Sequence, residues 1–295
     1  MKTVDKIIFN DKEYNRLYKG SELLFEVKKE WKGLTFTALE PSTIQYVPST
    51  VSTAQYSYDA VNWNSADNVI LNLNTDDKVY FKGYITYNQA YSNRAIFKMT
   101  GKVDASGSIM SMQNGNPQDK SLEYEYEFCG LFYGCKSLVT APELIATTLT
   151  IHCYQEMFFA CESLVTHPEL PATTLTDFCY MGMFENCKSL ETAPSLPSNI
   201  LAYRCYMYMF DSCISLIKAP VLPAKMLGKE CYIGMFIGCI NLNYVKCDAI
   251  EYNKSYFSSW LKNVSPNGDF YCKDSSIFSI GDSGIPSGWT IHSEI

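Results

Sequence analysis

Twelve cysteines, three histidines and scattered carboxylates supply the metal, redox and acid–base chemistry available to this chain, and their spacing decides which of it is usable. Cys135, Cys161, Cys187, Cys213 and Cys239 recur every 26 residues, and Cys153, Cys179, Cys205 and Cys231 keep the same interval in a second column. Within a unit the two columns are separated as Cys-x7-Cys, which is not a metal-ligand spacing, and His152, His167 and His292 are too few to complete a zinc site. Coils carrying helices would stand ~8–10 Å apart, beyond the ~4.4–6.8 Å between Cα atoms that a disulfide requires, so neither column cross-links to itself. Reduced thiols serving as small buried hydrophobes are the expectation, with bridges between different columns of neighbouring coils left open.

The remaining chemistry is as sparse. There is no Gly-x-Ser-x-Gly, no His-Glu-x-x-His and no phosphate loop. The carboxylate pair Glu123 and Glu125 would serve glycoside hydrolysis only if a cleft held the two groups ~5–9.5 Å apart, and nothing in the sequence requires one. No catalytic residue, metal ligand or cofactor is therefore expected.

The interval itself is the main signal. Phe132/Phe158/Phe184/Phe210/Phe236, Leu138/Leu164/Leu190/Leu216/Leu242 and Pro142/Pro168/Pro194/Pro220 share it, so one unit is copied several times and a solenoid is expected. One unit runs from Cys161 to Asn186. Its first half, Ser163 to His167, is alternating and β-branched and stops at Pro168, as a short strand does. In its second half Leu175, Cys179, Met183, Phe184 and Cys187 fall near helical spacing, with Thr173 and Thr174 as caps, which predicts a short helix. Burying four or five large side chains gives roughly 10 kcal/mol per unit against roughly 26–50 for ordering its backbone, so the units must stack and their ends need covers.

The expected class is α+β: an N-terminal all-β sandwich followed by a solenoid of 26-residue coils, each a short strand plus a short helix, and a C-terminal cap. Residues 1–30 read as a β-hairpin attachment element, with Tyr18 to Ser21 as its turn, and 31–125 as the sandwich, with strands such as Ile44 to Val47 and Val69 to Leu73. The solenoid takes 126–250, and 251–295, with Trp260, Phe270, Phe278 and Trp289, the cap.

A net charge of -7 argues against nucleic acid or an anionic membrane as partner. No apolar run approaches the ~18 residues of a membrane span, so no membrane insertion is expected. Lys and Asp interrupt the opening residues, so no secretory leader is expected either.

The segments Leu170-Pro-Ala-Thr-Thr-Leu175 and Cys179-Tyr-x-x-Met-Phe-x-x-Cys187, followed by Ser-Leu-x-Thr-Ala-Pro, resemble the BspA-type leucine-rich repeats of gut-anaerobe surface proteins and of the phages that infect those hosts. The resemblance covers roughly residues 127 to 250. Ser283-Gly-Ile-Pro-Ser-Gly-Trp-Thr290 is similar to the closing segment of such proteins, and Gln55-Tyr-Ser-Tyr-Asp-x-x-x-Trp63 to a β-module that often precedes the repeats. Tyr18-Lys-Gly-Ser-Glu-Leu-Leu-Phe-Glu26 resembles a segment that opens many phage structural proteins of the same hosts. Two departures stand out: Ser-Leu-x-Thr-Ala-Pro replaces the usual leucine-rich strand, and surface members of the family normally carry a secretion signal. The resemblance implies a leucine-rich-repeat solenoid in a non-enzymatic phage virion protein, or else in a bacterial cell-surface adhesin. Its partners would be a host-surface glycan or protein, other virion proteins through the N-terminus, and further copies of itself as a homo-oligomer.

Period-2 geometry would turn Leu138, Thr140 and Pro142 to one face and Val139, Ala141 and Glu143 to the other. The first set barely changes from unit to unit and the second does, so stacking constrains the first and leaves the second for a ligand or for solvent. The candidate contact residues are Val139, Glu143, Val165, His167, Glu169, Glu191, Ser195, Ile217 and Val221. The invariant Tyr154/Tyr180/Tyr206/Tyr232 column is expected to be a packing ladder rather than a sugar platform. Trp63, with Tyr56 and Tyr58, reads as core, with a sugar platform as the alternative.

Overall fold

The computed structural model describes residues 7–9, 12–14, 16–19, 22–26, 30–48, 52–84, 96–251, 253–281 and 283–293. The chain divides into two units, Met1–Lys32 and Gly33–Ile295. In the first, β1 (Ile7–Phe9) pairs antiparallel with β2 (Lys12–Tyr14), and β3 (Arg16–Lys19) with β4 (Glu22–Glu26). Lys19 faces Glu22 in the register of the second pair. Gly20 and Ser21 of the expected turn lie outside the described residues.

The second unit opens with β5 (Thr35–Ala38), β6 (Ser42–Val47), β7 (Gln55–Ser57), β8 (Asn64–Ser65), β9 (Ile70–Leu73), β10 (Lys78–Lys82), β11 (Ile96–Thr100) and β12 (Val103–Ser106). A one-turn helix α1 (Ser111–Asn114) and β13 (Leu138–Thr140) follow. One sheet has the order β13-β12-β5-β10-β7-β8 and another β11-β6-β9. Alternation builds the core between them: Ile44 and Tyr46 of β6, and Val79 and Phe81 of β10, point inward while their neighbours do not. Phe36, Phe81 and Phe97 meet edge to face at 5.0–5.5 Å.

From Tyr126 the chain climbs in stacked rungs. Backbone N–H groups alternate strictly in what they bond. His152, Tyr154, Glu156, Phe158 and Ala160 donate to Asp177, Cys179, Met181, Met183 and Glu185 of the next rung, while Cys153, Gln155, Met157, Phe159 and Cys161 donate three residues back in their own rung. The same alternation recurs one and two rungs on, as in Tyr180 to Cys205 and Tyr206 to Cys231. The turns need left-handed backbone at four-residue intervals, and His152, Glu156 and Ala160, with φ of 59°, 51° and 56°, provide it, as do Phe178, Gly182 and Asn186 after them.

This overturns the expected α+β class and the leucine-rich-repeat solenoid with a helix in every coil. An α-helix bonds each N–H four residues back within one segment, whereas here half of the N–H groups leave the segment altogether. Among the described residues α1 is the one α-helix, and none lies in 126–250. Cys179, Met183 and Cys187 keep a helix-like spacing because consecutive four-residue turns also return a side chain to the same face every four residues. The sandwich expected for 31–125 is not a closed body either: β12 pairs in parallel with β13, so its sheet continues into the first rung.

Phenylalanines stack up the centre, from Phe132 through Phe158, Phe184 and Phe210 to Phe236, with centroids 5.4–5.6 Å apart and planes within 9°. Below, Phe97 of β11 stacks on Phe132 at 5.4 Å and occupies the place of an earlier rung. Above, β14 (Tyr244–Cys247), β15 (Gly268–Cys272) and β16 (Trp289–Ser293) form a parallel sheet, with a short 3₁₀ turn at Ser275–Ile277. Trp260 closes the column: its carbonyl accepts Phe236 N–H, and its indole donates to Gly284 at 2.8 Å. Phe257 and Phe270 pack edge to face against it, and Phe278 packs against both of them.

Candidate functional site

All twelve cysteines are free and buried. One column acts as hydrogen-bond donor. Cys135, Cys161, Cys187, Cys213 and Cys239 direct Sγ at the carbonyls of Phe97, Phe132, Phe158, Phe184 and Phe210 at 3.0–3.1 Å. Burial pushes these thiols above their ordinary range, so they stay protonated and can donate. Their chemistry is spent on stacking. Among the described residues no cluster of His, Cys, Asp or Glu is arranged to hold a metal ion.

The tyrosine column is buried and stacked at 5.9–6.3 Å, so it offers no face to a ligand. Outside it, His152 lies 4.3 Å from both Tyr126 and Phe178, in parallel planes. Those ring faces cover one another too.

The opposite side of the rungs is looser. Val165 N–H reaches Val139 and Asn243 N–H reaches Ile217, but the N–H groups of Glu191, Thr192 and Ala193 donate to no other described residue. An open groove of ≈ 670 Å³ lies here, lined by Glu191, Thr192, Ser215, Ile217, Asn241 and Asn243. Glu191, Ile217 and Asn243 occupy one column on three consecutive rungs, so the groove runs along the stack for two intervals, about 10 Å. Ile217 is 56% exposed at its centre, flanked by a carboxylate, two hydroxyls and two amides. Asn241 donates Nδ2 to the Ile214 carbonyl at 2.8 Å, which fixes its amide and leaves Oδ1 to accept. Such a surface can hydrogen-bond a polyhydroxylated or peptide ligand around one apolar contact; it has no arranged nucleophile or acid–base pair.

Comparison with family models, curated proteins and solved structures finds no match.

Of the nine residues singled out from the sequence, the groove gathers Glu191 and Ile217. Glu143, Val165, Glu169, Ser195 and Val221 are exposed beyond it, Val139 is half-buried in β13, and His167 is half-buried with Nδ1 3.2 Å from the Pro168 carbonyl. Thr140 was expected to face inward with Leu138. Leu138, Leu164, Leu190 and Leu216 are indeed wholly buried, but Thr166 and Thr192 are exposed, because only a single bridge at Thr140 and Thr166 replaces a continued pleat. Thr192 therefore joins the groove. Sequence reasoning missed it along with Ser215, Asn241 and Asn243, although Asn243 continues the Val139/Val165/Glu191/Ile217 column by one more interval of 26.

Proposed function

We propose that this chain is a non-enzymatic recognition protein of a phage virion, engaging a host-surface glycan or protein of a gut anaerobe through the groove at Glu191, Ile217 and Asn243. One observation carries the binding reading. Positions that pack between rungs repeat almost without change, while the outward column through the groove changes at nearly every rung, from Val165 to Glu191 to Ile217 to Asn243. Stacking constrains the first set and leaves the second for another use. Assignment to a virion rests on the resemblance of the repeats and of Tyr18 to Glu26 to phage structural proteins, and gives residues 1–30 the role of attachment to other virion proteins.

Two experiments test it. The purified chain is applied to an array of bacterial surface polysaccharides and to intact gut-anaerobe cells, and saturable binding is expected. Immunogold labelling with an antibody to the rungs should decorate intact phage particles; label on bacterial cells and none on particles would give the alternative, a cell-surface adhesin. Release of reducing sugar from the same polysaccharides would refute a non-enzymatic role.

A further inference from the structure

A second groove, of ≈ 540 Å³, opens beside β7 and β10, lined by Thr53, Gln55, Lys82, Tyr84 and Asn114 among others. Gln55 and Lys82 are direct partners in the antiparallel register, so their side chains leave the sheet on the same face. The Lys82 ammonium sits 4.0 Å from the centroid of the Trp63 ring. Beyond that ring it has neither a hydrogen-bond acceptor nor a carboxylate partner among the described residues, although it is half-buried and burial lowers its pKa. The half-buried Gln55 carboxamide has no hydrogen bond among the described residues either. A cation without a carboxylate partner among the described residues, with an amide beside it on the same face, can pair with an incoming carboxylate.

The other end of the groove has the opposite character. Tyr84 N–H donates to Thr53 Oγ1 at 3.1 Å, and the Tyr84 ring stands 5.9 Å from Tyr124, edge to face. A hydrogen bond with Tyr124 pushes the Tyr84 phenol up to about 12, so it remains a neutral donor and acceptor. Asn114 Nδ2 donates to the Asp119 carboxylate at 2.9 Å, and Glu123 adds negative charge near Tyr84. An anion is welcome at Lys82 and repelled beyond Tyr84, where hydroxyl groups fit instead.

We propose that this groove binds a carboxylate-bearing saccharide, with a uronate on the Lys82 ammonium and the Gln55 amide and a neutral sugar residue against Tyr84 and Asn114. It takes nothing from the reading of the rung face, and either can fail alone.

The test is calorimetric titration of the whole chain with cellobiouronic acid and with cellobiose, which differ in one carboxylate. The acid should bind saturably, at least about tenfold more tightly than cellobiose, with an affinity that falls as salt is added. Lys82→Met should abolish that preference and Gln55→Ala weaken it severalfold, both with melting temperature unchanged. No binding of the acid, equal binding of the two sugars, or an undiminished preference in folded Lys82→Met would overturn the proposal.

Discussion

Cys187 Sγ and the carbonyl oxygen of Phe158, 29 residues apart in sequence, are 3.1 Å apart in the structure. The same carbonyl accepts Cys161 N–H from its own rung, so each phenylalanine oxygen ties two rungs together. Valine at 187 would fill the space without donating and serine would donate without filling it. Cys187→Val and Cys187→Ala should each destabilise by about 1–3 kcal/mol, and Cys187→Ser by less than Cys187→Ala. Denaturant unfolding of the three variants checks the order.

Thiol accessibility follows from the same burial. All twelve sulfhydryls lie inside, and desolvation holds Cys179 and Cys247 up at about 12. Native protein treated with a thiol reagent at neutral pH should release almost no signal, and unfolded protein twelve equivalents. Reductant should leave the melting temperature unchanged, whereas a stabilising disulfide would lower it on reduction.

Ala160 separates the turn ladder from the helix that the sequence suggested. Its φ is 56°, a conformation costing an L-residue ~1–2 kcal/mol and glycine little. Ala160→Gly should therefore stabilise by about 0.5–1 kcal/mol, whereas in a helix the same change would cost about as much. Thermal unfolding reads the sign directly.

Glu127 makes stability depend on pH. It stands one interval below the cysteines that begin at Cys153 and is wholly buried, with Oε2 accepting N–H from Glu123 at 2.8 Å and Tyr124 at 3.2 Å and Oε1 without a hydrogen-bond partner among the described residues. Desolvation raises its pKa from 4.5 to about 7. Between those values the folded state holds a proton that the unfolded state has lost, so stability is greatest at the acid end of this window and declines as pH rises through it, by up to about 3 kcal/mol. Half-buried Glu185, also raised to about 7, adds in the same direction. Subtracting the Glu127→Gln profile from that of the native sequence isolates the first group; a flat difference between pH 4.5 and 7 would count against it.

The rungs could be read from the sequence because stacking writes its period into every buried column, from Phe132 to Phe236 and from Leu138 to Leu242. Their local geometry could not, since a four-residue turn repeat and a helix place Cys179, Met183 and Cys187 alike. A clue was present: Gly130 and Gly134, and again Gly234 and Gly238, fall four apart where a helix would tolerate them poorly, and all have positive φ. The groove was half legible. Its outward column could be seen in the variation of Glu191 and Ile217, while Thr192 was hidden by the assumption of a continuous pleat.

The binding reading stands or falls on the groove. The decisive measurement compares the native chain with Glu191→Lys and Ile217→Asp for binding to the polysaccharide or cell that the native chain retains, with Leu190→Ala as a packing control. The two groove variants should lose at least about tenfold in affinity with stability within about 0.5 kcal/mol of native, while Leu190→Ala should lose about 2–5 kcal/mol of stability and keep its affinity wherever it is folded. Groove variants that bind as tightly as the native chain would contradict the assignment of this face to recognition.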